Sequence, residues 1–259
     1  MPLTYAHYRF GAALLKIMPA DVRRTIQRFR SLFDVGLHGP DIFYYRPALI
    51  KTKSSYLGIK FHEQTGQSFF PRACRTVRLE RSEAAQAYLY GLLCHYCLDA
   101  VCHHFIRENA QGINPWEIET EFDRFLLEKD GKIPPCSQDL SRHLHLTPGE
   151  CKTVAKMYPP ASENDVRDSL RSMVVFTKVL AVPEGARRTV LEKSLGLLSS
   201  ELKGLVMTNA PNPRCSHLND GLLDCYEKAL EQFPEMLSQL QAHLTYSAPF
   251  GEEFQDIFG

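Results

Sequence analysis

The chain has 259 residues, 30 basic and 30 acidic side chains, and a formal net charge of zero. That length suits one full core, and neutrality excludes a one-sign field that would steer nucleic acid or an anionic membrane to it at long range. Of its eight cysteines, Cys94, Cys97 and Cys102 share one short stretch where local pairing is geometrically poor, and Cys94-x-x-Cys97 has no second CxxC, so reduced thiols are expected and a zinc knuckle is not.

The opening MPLTYAHYRF lacks the basic segment, apolar core and cleavage site of a secretory signal, so a cytoplasmic location is expected. Apolar spacing predicts a helix from Thr4 to about Met18, with His7 near its start, where a surface or capping role is as reasonable as a chemical one. Pro19-Ala-Asp21 punctuates the chain and starts a second helix reaching about Phe33. Asp34 to Pro47 reads as an irregular loop; within it Asp41 follows Pro40 and precedes Phe43, Tyr44 and Tyr45, the usual setting of a helix cap. A polar linker, Lys51 to Ser55, leads into a helical pattern from Tyr56 to about Leu79 that carries His62 and Glu63, and Glu80 to Glu83 connects it to the next element.

Residues 84 to 106, AAQAYLYGLLCHYCLDAVCHHFI, form an almost unbroken apolar run. It is long enough for a helix of about six turns. His95, Asp99 and His103 interrupt it at i, i+4 and i+8, so they advance by only about 40° per step and share one stripe. The stripe marks a core helix rather than a membrane span. A carboxylate between two imidazoles on a buried face needs a cation or a dense hydrogen-bond network to offset its desolvation. At about 12 Å the stripe is too long for one ion and suits two or three, with Asp99 in the middle.

Glu108 to Pro115 reads as a loop, and Trp116 to Lys129 as an amphipathic helix whose Glu119, Glu121 and Asp123 form a solvated face. Further helices are predicted at about 148–157, 163–181, 184–206 and 219–244, separated by proline-bearing joints. His143 and His145 lie two apart, diverge on any helix, and read as surface residues; His217 reads as a cap of the last helix. No segment alternates with period two, so the fold class is all-α, a multi-helix bundle forming a single domain over residues 1–259.

With Pro-Asp41, His62, His95-x-x-x-Asp99-x-x-x-His103 and Glu119-x-Glu-Phe-Asp123 in this order, the chain resembles the zinc-dependent phospholipase C family, relatives of the fungal single-strand nucleases. MPLTYAHYRFG, GPDIFYY and GLLCHYCLDAVCHH look like its small bacterial stand-alone members, and the likeness extends to Tyr158-Pro-Pro-Ala-Ser-Glu and Cys215-Ser-His-Leu-Asn-Asp220. The resemblance implies an all-helical fold with a metal cleft holding two or three zinc ions. It implies metal ligation by His7, Asp41, His62, His95, Asp99, His103 and Glu119, with Asp41 also serving the attacking water. The family carries a histidine four residues before the glutamate; here Pro115 stands there, so one ion is expected to be weakly held, completed by water or a neighbour such as His104, or absent. Secreted members use their new N-terminus as a ligand, a contact that Met1-Pro2 is not expected to make, and no C-terminal lipid-binding domain is expected to follow Gly259.

The expected reaction is phosphoester hydrolysis by metal-activated water, the partner a phosphate-ester small molecule or a phospholipid headgroup. Phe43, Tyr44, Tyr45 and Tyr56 are either core aromatics or ring faces for a choline-like headgroup. A metal-binding or structural helical protein without turnover, favoured by Pro115, and a single-strand nuclease-like phosphodiesterase, disfavoured by the neutral charge, stand as alternatives.

Overall fold

The computed structural model describes residues 4–45, 53–199 and 201–259. Among these residues eleven α-helices run in chain order: α1 Thr4–Leu14, α2 Ala20–Arg28, α3 Arg30–Gly36, α4 Lys53–His62, α5 Gly66–Glu80, α6 Glu83–Asn109, α7 Pro115–Lys129, α8 Pro148–Ala155, α9 Glu163–Leu180, α10 Ala186–Leu198 and α11 Asn219–Tyr246. Among the described residues the one β feature is an isolated bridge between Thr65 and Ile257, so the all-α expectation holds.

The predicted apolar helix is the hub. α6 packs chiefly on α3 and α11, and is further walled by α1, α2, α5 and α8. Leu89, Leu92, Leu93, Tyr96, Leu98 and Cys102 are all buried, so nearly every face of its middle is enclosed, as its composition requires. Ser82 starts it by accepting the Ala85 N–H, a cap of about 1 kcal/mol. Thr147 and Ser162 close capping boxes at the starts of α8 and α9.

Three of the predicted helices are interrupted. The second predicted helix is broken at Phe29, whose φ of −128° and ψ of 47° leave the helical region, giving α2 and α3. The third is broken at Glu63–Thr65, where the Thr65 hydroxyl accepts the Ser68 N–H and restarts the chain as α5. Both breaks let short helices turn onto α6, a demand of packing that local propensity does not contain. The expected helix 184–206 likewise stops at Leu198 and resumes as a 3-10 turn, Glu201–Leu205. Of the expected linker, residues 51 and 52 lie outside the described residues, and Lys53 already belongs to α4.

α3 and α6 cross with their backbones in contact. A side chain on Gly91 would meet the Phe33 carbonyl oxygen at 2.2 Å, and one on Gly36 would meet that of Tyr88 at 2.5 Å. This approach carries the segment after α3 across α6, where the expected loop is an ordered 3-10 helix, Gly39–Tyr45. Tyr158 fixes it from below: its ring packs edge-on to Phe43 at 5.1 Å and to Phe61 at 4.9 Å, and Tyr88 donates to its hydroxyl at 2.8 Å. Asp41 and His62, neighbours of those two phenylalanines in sequence, are thereby set on the same side of α6.

Candidate metal centre

On α6, Asp99 is the middle of the stripe in space as in sequence. Its Oδ2 lies 3.1 Å from His95 Nε2 and its Oδ1 lies 3.5 Å from His103 Nε2. Each imidazole is one helical turn from the carboxylate, and their side chains lean along one line.

Four other elements deliver the remaining candidates. α1 brings His7, whose Nε2 is 3.2 Å from Asp99 Oδ1 and whose ring lies 4.5 Å from that of His95. The 3-10 helix brings Asp41, with Oδ1 4.0 Å from His95 Nε2. α4 brings His62, with Nε2 2.7 Å from the same Asp41 oxygen. α7 brings Glu119, with Oε1 3.8 Å from His103 Nε2. All seven candidates thus adjoin one another. Two triads of ligand atoms, His7–His95–Asp99 and Asp41–His62–His95, have every atom within 4.8 Å of the others.

Several polar atoms of this cluster are left without a hydrogen bond. His7 Nδ1, both ring nitrogens of His95, and Asp99 Oδ1 are buried and lack a hydrogen-bond partner. Unsatisfied polar atoms of this kind are costly and rare in a core, and four in one place point to a missing cation. His62 makes the same point. Its Nδ1 donates to the Gly58 carbonyl at 2.7 Å, which turns the Nε2 lone pair toward a carboxylate oxygen at 2.7 Å, so a second proton or a metal must lie between them.

Burial drives the His95 pKa down to about 4 against the pull of Asp99 and Asp41, leaving a neutral imidazole ready to ligate. Burial also works to raise Asp41 and Asp99, but the surrounding histidines outweigh it and hold both below the usual carboxylate range. His103 moves the other way: burial opposes its charge, yet Asp99 and Glu119 raise it above an ordinary histidine.

Several sequence expectations are corrected here. Glu119, Glu121 and Asp123 are not a solvated face; all are buried, at 1, 3 and 1 % exposure. Asp123 reaches across to α1 and accepts the Tyr5 and Ala6 N–H groups at 3.0 and 2.8 Å, capping that helix from outside and aiming His7. Glu121 takes a bidentate pair from buried Arg124 and the Asn212 N–H, tying down the segment before α11. His7 is no surface cap but buried at 3 % exposure. His104 points away, paired with exposed Glu108 at 3.2 Å, and cannot stand in for the missing family histidine.

His143 is not a free surface residue. Its Nε2 lies 2.6 Å from that of buried His38, whose ring is 6.3 Å from His7. Sequence reasoning passed over His38, although its place three residues before Asp41 was visible. His217 is exposed, and no side-chain cap forms at the start of α11. Of the aromatics, Phe43 is core and Tyr56 exposed, while Tyr44 packs 4.7 Å from His62. All eight cysteines are free thiols, as expected.

The profile of the family described as zinc-dependent phospholipase C matches residues 6–158, more than half the chain, a range that contains all seven ligand candidates from His7 to Glu119. The chain belongs to the zinc-dependent phospholipase C family. No curated protein and no solved structure matches it significantly. As a member of this family the chain has a donor set that fits zinc: nitrogen and carboxylate oxygen without thiolate, at separations of 2.7–4.0 Å that bracket the ~3.3 Å between neighbouring ligands on a tetrahedral ion with bonds of about 2.0 Å. The departure from the family pattern is also local. Pro115 is the first residue of α7, behind its cap Asn114, and it contributes no donor. Among the described residues no triad forms around His103 and Glu119. The expectation about Met1-Pro2 lies outside the described residues. No helix of the described residues is long and apolar enough to cross a membrane.

Proposed function

We propose that this chain is a zinc-dependent phosphoesterase that hydrolyses a phospholipase C-type phosphodiester, and that residues 1–259 act as one domain. The observation that carries the reading is the convergence of seven nitrogen- and oxygen-bearing side chains from five elements around Asp99 and His95, where His7 Nδ1, both His95 ring nitrogens and Asp99 Oδ1 are buried without a hydrogen-bond partner. We assign one ion to Asp41, His62 and His95, and a second to His7 and Asp99, with His103 and Glu119 forming a weaker third pole.

Zinc in such a centre polarises phosphoryl oxygens and brings the pKa of its water from about 15.7 towards 7. The protein's own groups do the rest. Asp41, anionic and held by His62, orients the attacking water. Its low pKa suits it better to accepting a hydrogen bond than to retaining a proton. Asp99 neutralises cations on both sides of the stripe. Tyr44 offers a ring face beside His62 for the headgroup.

The deciding experiment is metal analysis of the purified protein followed by hydrolysis of a nitrophenyl phosphodiester and of phospholipid. Two or three zinc ions with zinc-dependent turnover are expected. Zinc without turnover would leave a structural metal site, and a protein that takes up no zinc would remove the chemistry altogether.

Zinc uptake is expected to depend on pH with a defined sign. In the metal-free protein the raised His103 holds a proton below its pKa, and zinc must displace it. Affinity therefore rises with pH through the histidine range, by up to about tenfold per unit for each proton displaced. Competition with a zinc-binding dye at about pH 5.5 and about pH 7.5 reads this directly; equal affinities would contradict the assignment of His103.

A further inference from the structure

The segment after α11 turns back onto the metal centre. Thr65 and Ile257 form the isolated antiparallel bridge, Gly66 N–H donates to the Asp256 carbonyl at 3.0 Å, and Phe258 N–H donates to that of Gln64 at 3.3 Å. The Tyr96 hydroxyl donates to the Asp256 carbonyl at 2.9 Å. Phe258 is fully buried against Tyr96 at 4.8 Å and Phe69 at 5.2 Å, and its ring lies 6.2 Å from that of His95.

This seating places Gly259 between two candidate ligands. A methyl group on it would lie 3.3 Å from His62 Cδ2, 3.3 Å from His103 Cε1 and 3.4 Å from His103 Nε2. His103 has the most exposed side chain of the seven candidates, at 18 %, while His62 is at 7 % and Asp99 at 2 %. The segment therefore lies along the edge where the cluster comes nearest to solvent, in space that a phosphate group approaching the ions would need.

We infer that Asp256–Gly259 form a latch over the metal centre, hung on Phe258, and that its release admits zinc and the phosphoester from the His103 side. The inference rests on the metal centre and phosphoesterase reading above. A few main-chain bonds and one buried ring hold the latch, so it can lift without unfolding α11, whose own contacts with α6 and α5 lie elsewhere.

A reversible lock tests it. Because the main-chain bonds join residues 64 to 258 and 66 to 256, Thr65 and Ile257 form a non-hydrogen-bonded antiparallel pair, with Cα atoms about 4.5 Å apart. That spacing accepts a disulfide. In the zinc-loaded full chain carrying Thr65→Cys and Ile257→Cys, we expect a chelator to withdraw zinc at least tenfold more slowly in the oxidised than in the reduced state, with nitrophenyl phosphodiester hydrolysis slowed in parallel. Equal rates in the two states overturn the latch. Zinc exchange that follows the lock without any hydrolysis keeps the latch and refutes the phosphoesterase reading. A chain that takes up no zinc in either state refutes the metal centre and the latch with it.

If the double variant does not fold, Phe258→Ala is expected to release zinc at least tenfold faster than the parent. Phe254→Ala is the control, since Phe254 is equally buried and packs on Phe70 and Tyr96. Equal acceleration by both would mean general loosening and would overturn the latch.

Discussion

Asp99→Asn is expected to lower zinc affinity by more than about 100-fold, beyond the 10–100-fold typical of changes one shell further out, while the helical content is retained. The reason lies in its contacts. One carboxylate oxygen faces His7 and His103 and the other faces His95, at 3.1–3.5 Å, so a single side chain neutralises cations for three imidazoles. The amide keeps the shape and removes the charge. A buried divalent ion would then face neutral nitrogens alone on this side, with its lost hydration uncompensated.

The metal-free variant is expected to be somewhat less stable than the metal-free parent, because the surrounding histidines hold the Asp99 pKa below the usual carboxylate range and the amide gives up that attraction. What disappears is the rise in melting temperature on adding zinc, a gain worth about 2.7 kcal/mol at one hundred times the dissociation constant. Elemental analysis and melting curves with and without zinc measure both effects. A variant that keeps the full zinc complement and the full thermal gain would remove Asp99 from the centre.

Gly39→Val should be nearly as damaging although it alters no ligand. Gly39 has φ of +43°, and a Cβ there would stand 2.4 Å from His95 Cδ2 and 2.9 Å from His95 Nε2. A β-branched residue is strained in that backbone region by about 1–2 kcal/mol, and overpacking adds about 1–3 kcal/mol. His95 has little room to yield: it is fully buried, with the His7 ring 4.5 Å away on one side and the Phe258 ring 6.2 Å away on another. Either the imidazole moves off the stripe or the 3-10 helix lifts and takes Asp41 with it.

We expect at least about 100-fold weaker zinc binding, since either movement loses a ligand rather than an outer contact. Gly112→Ala is the matched control, with φ of +82° and no atom within 4 Å of its added Cβ. It should cost about 1 kcal/mol of stability and leave zinc titration unchanged. If Gly39→Val behaves like this control, the close approach of Gly39 to His95 does not position the centre.

The sequence by itself determined the central helix and its polar stripe. An apolar run of that length has to be enclosed on all sides, and the period of the α-helix aligns His95, Asp99 and His103 whatever surrounds them. It also determined the all-α class and, through resemblance, a set of seven residues that the fold does bring together. What it left undecided depended on partners far away along the chain. The acidic residues of α7 have the spacing of a solvated face, and only the α1 amides 117 and 118 residues away make Asp123 a buried cap, just as the segment at Asn212 makes Glu121 a buried anchor. His143 reads as a surface residue until His38, 105 residues earlier, meets it. The breaks at Phe29 and Glu63–Thr65, the crossing of α3 on α6, and the return of Phe258 to His95 were likewise settled only in three dimensions. Local spacing fixes which side chains share a face; the free energy of burying a charged group depends on which donors and cations the rest of the chain brings to it.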